Sequence, residues 1–314
     1  MSSLPRFAAF LLVAAVALAC SAGPTATPTL APASYPGWPP NETDFELIPV
    51  PVTTEVTVGA IRMLVNLLDS ETNASVGAAD RPVTLNLYNL AADPAQPAVS
   101  APATFMTTIP QLPGLYRATV TFTAAGAWGL EAITTEPDGS QRTGRTLFDV
   151  RESGTTPALG AAAPASETPT ATDAAGIAAL STDDDPDADF YTTSVADALE
   201  AHEPFALVFA TPAFCRSATC GPTLDVVKQV AADYEGRLTF IHVEPYQLEM
   251  KDGHLQPVLT SDNLPIPVLA VDEWGLPTEP YVFVVDGAGL VSAKFEGIAA
   301  EDELRAAFDA VTGS

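Results

Sequence analysis

The chain has 314 residues, of which 39 are acidic and 13 are lysine or arginine, so its formal net charge is −26. This charge argues against nucleic acid as a partner, because a polyanion must be met by clustered basic side chains. Anionic lipid headgroups would be repelled as well, so any membrane association requires a hydrophobic anchor. The length allows two domains of ordinary size.

The N-terminus supplies such an anchor. Arg6 precedes an apolar run, residues 7–19, which suits a signal-peptide core but is shorter than the roughly 20 residues of a spanning helix. Residues 17–21, Ala-Leu-Ala-Cys-Ser, resemble the bacterial lipobox. The resemblance implies a lipoprotein signal peptide over residues 1–20 and a lipid on Cys20, which would hold the protein on the extracytoplasmic face of the cell membrane. Ordinary cleavage without lipid is the alternative.

Two segments are rich in proline, threonine and alanine. Residues 21–46 predict a disordered stalk, and residues 153–188, which contain an acidic run at 183–185, predict a disordered interdomain linker. Both predictions rest on composition, because such segments bury too little apolar surface to offset the entropy of ordering them.

Residues 47–152, between these segments, show the period of two that is typical of half-buried strands. Apolar and polar residues alternate over 83–88 and 116–122, and Gly-containing pairs such as Asp138-Gly139 mark turns. Residues 114–130 resemble the small immunoglobulin-like domains of bacterial exported proteins, which implies an all-β sandwich. We interpret Trp128 as a core residue; a ligand platform is the alternative. Without cysteine or histidine, this domain is expected to bind or to act as a spacer.

From residue 189, helical and strand patterns alternate. Ser194 can cap a short helix. The remaining predicted elements are strands at 205–210, 238–243, 281–285 and 290–295 and helices at 224–234 and 302–311.

The segment 205–210, the run from Cys215 to Pro222 and the tetrapeptide Thr278-Glu279-Pro280-Tyr281 together resemble the thioredoxin superfamily. The resemblance implies an α/β thioredoxin-like fold over residues 189–314. It also implies a redox-active cysteine pair and a cis peptide bond before Pro280, close to the reactive sulfur. The predicted fold class is therefore two-domain, with an N-terminal immunoglobulin-like sandwich and a C-terminal thioredoxin-like domain.

The positions of the two sulfurs support reactivity. Cys220 directly precedes Gly221-Pro222 and a helical pattern, so it is expected at a helix N-terminus, where free N–H groups and the helix dipole favour a thiolate. Cys215 is then the resolving cysteine, and the two are expected to form a disulfide in an oxidising compartment. The spacing departs from the usual CxxC. A carboxylate at Glu279 would repel the thiolate, and Arg216 would offset it.

These observations predict thiol-disulfide exchange with exported protein thiols or disulfides, with no cofactor or metal and with the direction of electron flow left open. One alternative is a noncatalytic surface lipoprotein that binds a partner and uses the disulfide as a staple. A second is a copper-handling chaperone that uses Cys215, Cys220 and His242 as ligands. His242 lies at an apolar position of a strand, where a buried, hydrogen-bonded histidine is the more frequent case.

Overall fold

The first half of the chain is one seven-stranded antiparallel sheet. The structure, a computed structural model, describes residues 35–36, 38, 45–107, 114–136 and 138–313. The strands lie in the spatial order β1-β2-β5-β4-β3-β6-β7. Their bounds are β1 Leu47–Pro51, β2 Gly59–Asp69, β3 Val83–Asn89, β4 Val99–Met106, β5 Leu115–Phe122, β6 Gly126–Thr135 and β7 Gln141–Val150.

The two edges of this sheet come close to each other, so the sheet is nearly closed. The backbone N–H of Glu46, which directly precedes β1, donates to the carbonyl oxygen of Thr143 in β7 at 3.1 Å. Gly144 makes this approach possible, because a Cβ there would lie 2.1 Å from the carbonyl oxygen of Leu47. Trp128 is fully buried inside and contacts Phe122 edge-on, which confirms its prediction as a core residue.

The second half contains a four-stranded mixed sheet in the order β13-β12-β8-β9, in which only β8 and β9 are parallel. Its strands are β8 Phe205–Phe209, β9 Thr239–Val243, β12 Tyr281–Val285 and β13 Val291–Glu296, and β10 Leu248–Lys251 pairs with β11 His254–Pro257 as a separate hairpin. The helices are α1 Ala174–Leu180, α2 Val195–Glu200, α3 Cys220–Ala231, α4 Leu269–Glu273 and α5 Glu301–Thr312.

Strands β8 and β12 are buried over their whole length because apolar clusters cover both faces. Leu224 of α3 and Phe308 of α5 pack on one face, and Trp274 packs on the other. This two-sided burial explains why both strands are continuous apolar runs. Ser194 caps α2 by accepting a hydrogen bond from the Asp197 N–H, as predicted.

Ion pairs and an apolar cluster join the two sheets. Arg62 of β2 donates to both carboxylate oxygens of Glu303 at 2.6 and 2.7 Å, and Lys294 of β13 contacts buried Glu55 at 3.0 Å. Leu64, Met106 and Ile298 pack together beside these pairs. Both sheets accordingly belong to one compact unit, residues 31–314.

The structure contradicts the prediction of a disordered linker at 153–188. The backbone of Gly160 and Ala161 pairs with Val291 at the edge of β13, and residues 174–180 form α1. Asp183, expected in a solvated acidic run, forms a salt bridge with Lys228 at 2.6 Å. The segment is ordered because neighbouring elements satisfy its backbone and side-chain polar groups, a contribution that composition does not reveal.

The predicted fold class is wrong. The described residues are mostly β, with 37% in strands and 18% in helices. Their largest element is a nearly closed seven-stranded sheet, where an immunoglobulin-like sandwich of two sheets was expected. A helical α/β thioredoxin-like C-terminal domain is not shown either. The error arose because strand alternation reports which face is buried and not how sheet edges meet, and because local α/β patterns do not determine the architecture.

The predictions for Cys20, the signal peptide and most of the stalk at 21–46 fall outside the described residues. Trp38, within the predicted stalk, is described: it is fully buried against Tyr88. Within the described ranges, no helix has the length and apolar character needed to cross a membrane.

Candidate redox site

Cys215 and Cys220 form a disulfide with a Cα–Cα distance of 5.9 Å. The residues between them form a loop in which Arg216, Ser217 and Ala218 are exposed, and Ala218 adopts a left-handed conformation with φ 59°. This loop lets a pair separated by four residues meet the separation that a disulfide requires. The sequence correctly paired these two cysteines.

The two sulfurs differ in exposure. Cys220, the first residue of α3, is fully buried in the apolar cluster between the helices and the mixed sheet. Cys215 is partly exposed and only borders that cluster. Cys215 is therefore the more accessible sulfur, whereas the sequence analysis assigned the attacking role to Cys220.

Cys220 begins α3, as predicted, and the sulfur of Cys215 lies at the same helix N-terminus. Its Sγ accepts a hydrogen bond from the Cys220 N–H at 3.2 Å and lies 3.3 Å from the Ser217 hydroxyl oxygen. Thr219, the N-cap, makes no side-chain capping hydrogen bond. When the pair is reduced, the free N–H group and the dipole of α3 are placed to stabilise a thiolate on Cys215.

The second predicted segment, Glu279-Pro280, has the expected cis peptide bond. Burial raises the pKa of the Glu279 carboxyl, and a hydrogen bond from the Tyr246 side chain and the charge of Arg216 oppose this effect. Burial and the neighbouring Glu279 in turn raise the pKa of Tyr246 to about 12. Arg216 therefore moderates the negative charge of Glu279, as the sequence suggested. Sequence patterns did not indicate the contact between Tyr246 and Glu279, because the two residues are far apart in the chain.

A cleft of about 360 Å³ begins at the disulfide loop and extends to the first sheet. Ser217 and Thr219 of the loop and Glu279 of the cis-proline segment form one side. The remaining described residues along it are Val52, Thr54, Leu64, Asn66, Leu115, Thr278, Glu296, Gly297 and Ile298. Because the lining residues come from six separate stretches of the chain, sequence patterns did not reveal the cleft.

A buried polar network lies near the loop that leads to Cys215. The Nε2–H of His242 donates to the Ala210 carbonyl at 2.9 Å, so Nδ1 accepts from the Tyr191 hydroxyl at 2.7 Å. Burial lowers the pKa of His242 to about 4, against the hydrogen bond to Ala210. The predicted buried, hydrogen-bonded histidine is confirmed, and neither ring nitrogen is open to a metal.

Glu244 is a second buried polar residue in this region, and sequence patterns did not indicate it. It is almost fully buried, and it accepts a hydrogen bond from the Thr182 N–H at 2.7 Å. The Thr182 hydroxyl also contacts the Ala213 N–H, two residues before Cys215. Burial raises the pKa of Glu244. Through Thr182, Glu244 thus holds Ala213, at the start of the disulfide loop, in place.

Comparison with protein-family models, with curated proteins and with solved structures finds no match for this chain. The function of the protein is therefore inferred from the geometry of this site.

Proposed function

We propose that the protein exchanges thiols and disulfides with exported proteins outside the cell membrane, where a lipid on Cys20 anchors it. The proposal rests on the position of Cys215. Its sulfur is partly exposed, accepts a hydrogen bond from a backbone N–H at the start of α3, and is bonded to the sulfur of Cys220, which solvent does not reach. The apolar run at 7–19 and the following Cys20 support export and anchoring.

The exchange proceeds in two steps, the formation of a mixed disulfide and its resolution. The Cys215 thiolate attacks one sulfur of a partner disulfide, so a mixed disulfide forms and the partner's second sulfur leaves as a thiolate that takes a proton from water. The Cys220 thiol then attacks Cys215 Sγ and passes its proton to the partner's departing thiolate, which restores the Cys215–Cys220 disulfide and releases the partner as a dithiol. Two electrons pass from the protein to the partner, and the reverse sequence oxidises a partner dithiol.

Two single variants test the assigned roles. Cys220→Ser should accumulate a mixed disulfide with an added peptide disulfide, because Cys215 can attack but nothing can resolve the product. Cys215→Ser should accumulate little, because the remaining sulfur is buried. Mass spectrometry measures both adducts. Equal trapping by the two variants, or none by either, contradicts the mechanism.

The full burial of Cys220 also favours a second candidate function, in which the disulfide is a structural staple in a partner-binding lipoprotein. The reduction potential separates the two. Exchange proteins lie at about −120 to −270 mV, whereas structural disulfides lie below about −300 mV. Equilibration of the full chain with dithiothreitol, followed by mass spectrometry of alkylated thiols, gives the value. A potential below about −300 mV replaces the exchange proposal with the staple.

A further inference from the structure

The seven-stranded sheet forms one wall of the cleft that begins at the disulfide loop. Leu64 of β2 and Leu115 of β5 line it, together with Val52, which follows β1. Ile298, which follows β13, adds an apolar side chain from the second half. Val52 is 38% exposed, so the cleft presents accessible apolar surface on the side of the first sheet.

The cleft ends at residues of the disulfide loop, next to the partly exposed Cys215, which does not itself line it. Ser217, 3.3 Å from Cys215 Sγ, lines it, and so does Thr219, whose hydroxyl oxygen lies 2.7 Å from that of Ser217. A chain segment that rests in the cleft therefore ends beside the accessible sulfur. The volume of about 360 Å³ lies at the low end of ligand sites and accommodates a short segment of a partner, not a folded surface.

The charge of the cleft selects its occupant. The described lining residues include two carboxylates, Glu279 and Glu296, and neither lysine nor arginine. The carboxylate of Glu296 is held in place because the Thr54 N–H donates to both of its oxygens at 2.9 and 3.1 Å. The net charge of −26 adds a long-range preference for cationic partners.

The two walls also keep their separation. Arg62 of the first sheet donates to the backbone carbonyls of Glu296 and Ile298 at 3.2 and 2.7 Å, at the base of the cleft, in addition to its bidentate pairing with Glu303. A preformed cleft of this kind loses less conformational entropy on binding than one that must assemble around its ligand.

From these observations we infer that the seven-stranded sheet is a substrate-binding wall: the cleft takes an extended, cysteine-containing polypeptide segment with an apolar residue and a basic residue next to the cysteine. The inference rests on the proposed exchange activity and adds its substrate class. Val52 and Leu115, the more exposed apolar side chains of the cleft, contact the apolar side chain of the segment. The hydroxyls of Ser217, Thr219 and Thr278 bond the segment's backbone, and Glu279 attracts its basic residue.

Two peptides that differ only in charge test the inference. Each carries one cysteine as a mixed disulfide with nitrothiobenzoate, preceded by leucine and followed by either lysine or glutamate. Reaction with the reduced full chain yields the Cys215–Cys220 disulfide, the peptide thiol and one coloured nitrothiobenzoate. We expect the lysine peptide to react about tenfold faster at low ionic strength, with the difference shrinking as salt is added.

Val52→Asp should slow the lysine peptide by about tenfold, because it places a charge against the segment's apolar side chain. Val50→Asp is the matched control, since Val50 is 37% exposed on β1 but does not line the cleft. Val50→Asp should also react with a small aromatic disulfide at the wild-type rate, because Val50 does not line the cleft. Equal effects of the two variants, or equal rates for the two peptides, overturn the inference. A wild-type chain that reacts with neither the peptides nor the small disulfide instead refutes the exchange activity itself.

Discussion

The buried carboxylate of Glu55 gives a sharp test of how the two sheets are joined. Glu55 is 4% exposed and accepts hydrogen bonds from the Thr156 N–H, at 3.1 Å, and from Lys294, at 3.0 Å. Burial alone would raise its pKa, but the hydrogen bonds from Thr156 and the ammonium of Lys294 lower the pKa from 4.5 to about 2. The carboxylate is thus stabilised as an anion in the folded protein.

The size of the effect is set by that pKa. A carboxyl that titrates at 4.5 when unfolded and at about 2 when folded contributes about 3 kcal/mol to the free energy of unfolding at neutral pH. Because the folded pKa is the lower one, the contribution is complete above about pH 5 and is lost as the pH falls towards 2. Glu55→Gln should therefore destabilise the protein by about 3 kcal/mol at pH 7, within the range for breaking a buried ion pair.

Urea unfolding of the wild type and Glu55→Gln, from pH 7 down to pH 2, measures this difference by circular dichroism. The two curves should converge as Glu55 becomes protonated. Glu71→Gln is the matched control, because Glu71 is an exposed carboxylate after β2, and it should change the free energy of unfolding by less than about 0.5 kcal/mol. A loss below about 1 kcal/mol for Glu55→Gln, or a loss that does not change with pH, refutes the reasoning.

Individual contacts give three further predictions. Gly129→Ala should cost about 1–3 kcal/mol and expose Trp38, seen as a red-shifted fluorescence spectrum, because the added Cβ would lie 2.4 Å from the Trp38 ring; an unchanged spectrum and stability contradicts this. In the reduced protein, iodoacetamide should alkylate Cys215 at least about tenfold faster than Cys220, as measured by peptide mass spectrometry, and the opposite order would restore the sequence-based roles. The ring of His242 should show no NMR titration between pH 5.5 and 8, because its pKa is about 4, and a midpoint near 6.5 would refute its burial.

Local pattern was sufficient for most individual elements. The predicted strand at 281–285 coincides with β12, and the predicted helix at 302–311 lies within α5. A continuous apolar run predicts a strand that is covered on both faces, and helical spacing of apolar residues predicts an amphipathic helix. The buried state of His242 was predicted on the same local basis, from its apolar position in a strand. The pairing of Cys215 with Cys220 was predicted from the cysteine count and an oxidising compartment.

In the candidate site, local sequence pattern did not predict which of the two sulfurs is accessible. Cys220 directly precedes a predicted helix start, so sequence position alone pointed to Cys220 as the attacking sulfur. In the structure, the side chain of Cys220 faces the core while the loop returns Cys215 to the N-terminus of α3. Accessibility depends on what packs over each sulfur, and that packing comes from Leu224, Phe308 and other residues far away in the chain.

The sequence by itself determined the acidic charge, the positions of most strands and helices, the burial of Trp128 and the identity of the cysteine pair, because each of these depends on residue type and short-range spacing. Only the tertiary structure decided that seven strands form one nearly closed sheet, that residues 153–188 are ordered, and that the first sheet contributes a wall to the cleft beside Cys215. Those features depend on contacts such as that between Arg62 and Glu303, which are separated by 241 residues. Contacts between residues so far apart produce no periodic pattern in the sequence, so they cannot be predicted from it.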